Sequence, residues 1–306
     1  MNKITQITHN ILLGRSNVNV EEIFSSFNDV KSFNTEEYDE VDSVIIGNKL
    51  KHKKTKYVDP NIEVYKMNHK RRGIALIFNN VKIYPARNNA EECSRNLSQT
   101  LQMMGFDVQL IVNATLQMLI EKLKDVASQD HTNNDCLAIA VLSTGTSGYL
   151  KADNMFYPAQ MLWMPFLSDS CPSLIDKPKI FFLQTYYDSS YNGIHGFDQS
   201  INFSFPDIMV IHLFYNSSWQ NTNSCLMNKI TQELNEHWRT HDLFRMMTSI
   251  VRHVVNYNRT LSNEKKLQAP TIVSTLTRLV YFDKTKYLVE LSKNEKTDFD
   301  PLLIQD

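Results

Sequence analysis

The chain has 306 residues, 42% of them apolar, with 32 basic against 33 acidic side chains and a formal net charge of −1. That length holds one large or two ordinary domains with a sizeable core. The even balance removes the charge signature of a nucleic-acid or polybasic membrane binder, and no apolar run reaches the 18 residues a membrane span needs. The first 13 residues carry one Lys and no small-residue cleavage site, so no signal peptide is expected. Residues 1–68 are rich in Asn, Ser, Glu and Asp with scattered apolar positions, which predicts a flexible leader. From Gly73 to Asn79 the run is continuously apolar, as in a strand buried on both faces. Residues 90–104 repeat Cys93, Leu97, Leu101 and Met104 at helical spacing, and 106–112 alternate as a strand. Residues 116–127 place Leu116, Leu119, Ile120, Leu123, Val126 and Ala127 on one helical stripe. Strands follow at 136–142, 179–183 and 207–214, amphipathic helices at 224–236 and 243–256, and a long β-branched and aromatic strand at 271–282.

Strands alternating with helices of this length predict an α/β sheet with helices on both faces. In such sheets the site lies outside the carboxyl ends of the strands. That rule selects Ser143-Thr144-Gly145, Gln184-Thr185-Tyr186 and the segment after Phe214. Only 8 glycines occur, where average usage would give about 21, and none cluster. No phosphate-cradling loop is expected, and no cofactor. Cys93, Cys136, Cys171 and Cys225 are far apart with no paired spacing. This argues against a disulfide scaffold or zinc site and suits a reducing, cytoplasmic setting. Each cysteine reads as a buried small apolar residue.

Several segments in order resemble the caspases, the aspartate-specific cysteine proteases. Tyr65-Lys66-Met67-Asn68 with Arg71-Arg72-Gly73-Ile74-Ala75-Leu76-Ile77-Phe78-Asn79 is similar to the opening strand of executioner caspases, above all insect ones. Ser128-Gln129-Asp130-His131, Asp135-Cys136 and the strand ending Val141-Leu142-Ser143 follow. Cys171-Pro172-Ser173-Leu174, then Lys177-Pro178-Lys179-Ile180-Phe181-Phe182-Leu183-Gln184, resembles the approach to the catalytic cysteine. Thr275-Leu276-Thr277-Arg278-Leu279 looks like the family's last strand. The resemblance implies a six-stranded, mostly parallel twisted sheet with helices on both faces. It implies a leader over 1–68 and a caspase-like domain over 69–285. Within the domain it implies a large-subunit part (69–187), a linker (188–206) and a small-subunit part (207–285), followed by a tail (286–306).

The family uses a Cys nucleophile in Gln-Ala-Cys-x-Gly and a His base about 50 residues upstream in Ser-His-Gly. Aligned on that pattern, Thr144 takes the base position beside Gly145, the oxyanion-turn remnant, and Tyr186 takes the nucleophile position 42 residues on. A phenol with a pKa near 10 and a longer reach cannot replace a thiolate, and a threonine cannot shuttle a proton near neutral pH. The resemblance therefore implies a pseudoenzyme with no catalytic residues and no metal. Its substrate pocket is a remnant: Arg87 and Gln184 stand at pocket positions, while Gln220 replaces the second arginine, and with it a carboxylate-matching guanidinium. Asp39-Glu40-Val41-Asp42, followed by Ser43, reads as an executioner-caspase cleavage site in the leader.

Because caspases pair through the last strand, Thr271-Ile272-Val273-Ser274-Thr275-Leu276 is the candidate dimer strand. The implied partners are an active caspase in a heterodimer, or a second copy, with inhibitor-of-apoptosis proteins a further candidate. The alternative is a bait cut after Asp42, or a decoy that sequesters caspases or their inhibitors. A residual cysteine peptidase is the remote third reading.

Overall fold

The computed structural model describes residues 63–82, 86–146, 148–168, 170–187, 205–216, 226–260 and 268–289, all within one compact unit. In chain order these form strand β1 (Ile74–Asn79), helix α1 (Ala86–Met103), β2 (Asp107–Val112), α2 (Leu116–Ala127) and β3 (Leu137–Thr146). A short hairpin of β4 (Tyr149–Lys151) and β5 (Phe156–Pro158) follows, then three 3₁₀ turns between 159 and 174. Strands β6 (Lys179–Tyr187) and β7 (Ile208–Asn216), helices α3 (Leu226–His237) and α4 (Leu243–Asn258), and strand β8 (Thr271–Ser274) complete the order. The main path of the sheet is β2-β1-β3-β6-β7-β8. All its pairings are parallel except β7 with β8. The six-stranded, mostly parallel α/β sheet expected from the sequence is present, with β4 and β5 added off the path.

Side-chain alternation divides the central strands between two cores. Ala138, Ala140, Ile180, Phe182, Met209 and Ile211 join one cluster with Ala90, Leu97 and Leu101 of α1, Ile230 of α3 and Met246 of α4. Phe181 points to the opposite face, where Trp163 meets it edge-on at 5.7 Å. Strands buried on both faces are why 74–78, 137–142 and 180–183 are unbroken apolar runs. The caps are local: Thr115 accepts a hydrogen bond from Met118 N at the start of α2, and Asp242 accepts one from Arg245 N at the start of α4.

Two polar brackets hold the amino ends of the strands. Arg72, 4% exposed, donates to Asp135 Oδ2 at 2.9 Å, and His69 lies 3.0 Å from Asp135 Oδ1. Tyr65 donates its hydroxyl to Asp207 at 2.5 Å, and Thr277 donates to the same carboxylate oxygen at 3.1 Å. Tyr65 and Met67 are fully buried, and Val64 bridges to Leu279. Residues 63–68, expected in the leader, are therefore part of the domain, anchored by burial of a Tyr and a Met.

The last strand is also shorter than expected. β8 covers Thr271–Ser274, so Thr275 and Leu276 lie beyond it and 275–282 is not a strand. Its partner ends there: Asp207 adopts a left-handed φ of 65° and receives Thr275 O as an acceptor for its amide. Leu279 then turns to pair with Glu63 and Tyr65. β3, by contrast, runs four residues past Leu142, because β4 folds back onto Gly145 and Thr146.

Gly73 opens β1 with φ +127°, and a Cβ there would stand 1.8 Å from Cys136 O. Gly73→Ala is predicted to destabilise the domain by about 3 kcal/mol or more, read as a large fall in thermal midpoint. An unchanged midpoint would contradict this packing.

Candidate functional site at the carboxyl ends of β3 and β6

β3 and β6 run parallel in a register that pairs Leu142 with Gln184, Ser143 with Thr185, Thr144 with Tyr186 and Gly145 with Tyr187. The two positions singled out by sequence, 42 residues apart, are thus direct neighbours across one strand pair. Thr144 is 4% exposed and Tyr186 is 3% exposed, its ring packed in the same cluster as α1, α3 and α4. Gln184, fully buried, joins the site to a helix. Its Nε2 donates to Tyr186 Oη at 2.5 Å, while its Oε1 accepts from Met227 N, in the first turn of α3, at 2.9 Å. Both ends of the carboxamide are engaged inside the protein. A helix's first amides have no partner within the helix, so Gln184 also closes the start of α3.

Gly145, expected on a turn, lies inside β3 between Tyr187 of β6 and Leu150 of β4. A Cβ at Gly145 would come within 2.5 Å of Tyr149 O and 2.8 Å of Thr185 Cγ2, so the hairpin admits only glycine. Ser143 ties the hairpin down, donating to Lys151 O at 2.6 Å and accepting from Lys151 N at 2.9 Å. Arg87 falls in the first turn of α1, with its side chain outside the described residues. Gln220, the 39–42 motif and Cys225 also lie outside them.

On the opposite face of β6, sequence reasoning missed a buried pair. Thr185 Oγ1 and His212 share a hydrogen bond of 2.6 Å to Nε2, and Phe214 stacks on the imidazole at 4.0 Å. Burial lowers the His212 pKa to about 3. The signal was faint: His212 is one polar residue in an apolar strand, and the partner follows only from register.

Thiols stand elsewhere. Cys136 and Cys171 are free and buried. Cys136 directly precedes β3, so Thr144 lies eight residues, about 26 Å of strand, beyond it. Burial pushes both thiols up, away from the reactive thiolate. Cys93 is buried in the core on α1, as expected, but is disulfide-bonded, against the expectation drawn from the unpaired spacing. The sequence spacing carried no sign of it. Among the described residues, no group of three His, Cys, Asp or Glu side chains could hold a metal, and no helix is long and apolar enough to cross a membrane.

Residues 72–281 match the model of the caspase domain. The chain belongs to the caspase family. It is 31% identical over 244 residues to Caspase-1 of Drosophila melanogaster, covering 71% of this chain and 75% of the relative. It is 30% identical to Caspase-1 of Spodoptera frugiperda, covering 74% of this chain and 84% of the relative. Caspase drICE of Drosophila melanogaster is 29% identical over 252 residues. Among solved structures, pro-sf-caspase-1 superposes with a TM-score of 0.62 at 31% identity, covering 73% of this chain and all of that one.

Two outcomes follow from this geometry. Gln184→Ala removes both internal hydrogen bonds and is predicted to cost about 2–3 kcal/mol, measured by urea unfolding; a change below about 0.5 kcal/mol would mean that the bracket is not holding Tyr186. His212 is neutral when folded and takes a proton near pH 6.5 when unfolded. Its contribution is complete above pH 6.5 and falls by about 1.4 kcal/mol per pH unit as pH drops from there toward 3. Stability measured from pH 7 to pH 4 is therefore predicted to fall less steeply in His212→Gln than in the wild type. Parallel curves would remove His212 as the cause.

Proposed function

We propose that this chain is a catalytically dead caspase homologue, a pseudocaspase, that regulates an active caspase in apoptosis by dimerising through β8. The observation that carries the reading is Tyr186, a buried phenol hydrogen-bonded to Gln184 where the family pattern has its nucleophile. Its neighbour across the strand pair is Thr144, which has no group to take a proton near neutral pH. Losing one member of a coupled nucleophile–base pair typically costs on the order of 10⁶ in rate, and both are replaced here. Gln184 is also withdrawn from ligand recognition, because its carboxamide is spent on Tyr186 and α3. Neither Cys136 nor Cys171 offers a substitute thiol near the site, which weighs against a residual peptidase.

What remains is a surface for binding. β8 is the end strand of the sheet path, and all four of its residues are half-exposed. An edge strand presents unpaired backbone groups, and a two-fold contact would place the same strand on both partners, whether an active caspase or a second copy. The reading places the protein in the cytoplasm with its partner.

The test is a titration of the purified chain into an active caspase from the same source, following hydrolysis of an Asp-Glu-Val-Asp reporter. The chain alone should give no rate, and the partner's rate should rise or fall saturably near a one-to-one ratio. Val273→Glu, at the middle of β8, should abolish the change while leaving the fold intact. Thr275 is unsuitable for this purpose, because its hydroxyl donates to Phe205 O at 2.7 Å and its amide to Ile208 O. No change with wild type, or an equal change with Val273→Glu, would overturn the proposal.

A second reading rests on Asp39-Glu40-Val41-Asp42, a bait that active caspases cut, or a decoy for caspases or their inhibitors. A rate that falls only by competition, with cleavage lost in Asp42→Ala, would select it over the dimer.

A further inference from the structure

At the opposite end of the sheet the structure holds a cleft of about 420 Å³ beneath the amino ends of β1, β2 and β3. Four cations line it, the consecutive Lys70, Arg71 and Arg72 together with Lys284, against two carboxylates, Asp107 and Asp130. In a chain with a net charge of −1 this is a local excess of positive charge. The charges differ in their freedom. Arg72 is buried and fixed by Asp135, by Met104 O at 3.2 Å and by Phe282 O, so it forms the floor. Asp135, fully buried, pairs with Arg72 and also meets His69, so Arg72 and Asp135 cancel and the excess rests on Lys70, Arg71 and Lys284 against Asp107 and Asp130. Asp130 accepts from the amide and hydroxyl of Thr132, which favour its ionised form, so with Asp107 it remains an opposing charge. Lys70, Arg71 and Lys284 are exposed and form no salt bridge among the described residues; Lys284 makes one long hydrogen bond, 3.3 Å, to His69 O.

The backbone there is paired. Arg71 bridges to Asn134 and accepts Asp135 N, while Gly73 O receives Asp107 N. The three exposed cations come from two segments distant in sequence, and a ligand with more than one anionic group could engage them together. The volume lies within the range of small-molecule sites and exceeds the space a single phosphate fills. Ile74 and Met104 supply an apolar wall, and Gln129 and Asn134 supply amides. A guanidinium fork flanked by ammonium point charges is the donor set that recognises phosphoryl oxygens.

We propose that this cleft binds a small phosphorylated molecule bearing at least two phosphoryl groups, of nucleotide size. Recognition uses side-chain cations at the strand ends and needs no glycine loop. The cleft lies at the far end of β3 from Thr144 and Tyr186, so its ligand would leave that site untouched, and its test does not bear on the pseudocaspase reading.

The test is calorimetric titration of the full chain with ATP and, separately, with tripolyphosphate, in magnesium-free buffer at 150 mM salt. Saturable one-to-one binding of either is expected. Arg71→Ala and Lys284→Glu should each weaken it by about 10-fold or more. Asp107→Asn should tighten it several-fold, because it removes an opposing charge. All three positions are exposed, so the folds should survive, and thermal midpoints verify this. Binding too weak to saturate below about 1 mM, affinity insensitive to Arg71 and Lys284, or weakening by Asp107→Asn would each overturn the assignment.

Discussion

The parallel register of β3 and β6 is the constraint on which the rest depends. Nine consecutive pairs, from Leu137 with Lys179 to Gly145 with Tyr187, hold one constant offset along the strands. Both strands are buried on both faces, so a slip of one residue would turn every apolar side chain of one core into the other. Phe182 would leave the cluster of α1, α3 and α4, and Phe181 would lose Trp163. The same register that packs the sheet sets Thr144 against Tyr186 at its carboxyl end. What stands at the site is therefore fixed by core packing, and the local chemistry is set by which side chains the register delivers there.

Tyr186 shows how the delivered side chain reshapes its surroundings. A phenol in this cluster requires a partner for its hydroxyl. Gln184, two residues earlier on the same face of β6, supplies one and reaches α3 with its other end. The result is a satisfied polar link inside an apolar cluster, which gives the carboxyl end of the sheet a structural role. Binding would then be left to the surface: the open edge at β8, and the cationic cleft at the amino ends.

Much of this was legible in the sequence. The apolar runs within 74–79, 137–142 and 179–183 announced strands buried on both faces, and the stripe over 116–127 marked α2, although Ala127 at its end is only half-buried. The 42-residue spacing from Thr144 to Tyr186 equals the offset of the β3–β6 register. What stayed hidden depended on distant partners. Residues 63–68 read as leader because Val64 and Tyr65 pair with segments more than 100 residues away. The strand at 271–282 read too long, since a β-branched run does not reveal that Asp207 turns its partner strand aside. The Gln184 bracket, the Thr185–His212 pair and the cationic cleft each combine segments that only the fold brings together.

On the proposed reading, the paired carboxyl ends of β3 and β6 hold no working nucleophile. This is tested most directly by treating the purified chain with an aspartyl, caspase-directed covalent inhibitor and measuring its intact mass. The account predicts an unmodified mass under conditions that label an active caspase completely. A stoichiometric adduct on Tyr186 or on any cysteine would contradict it.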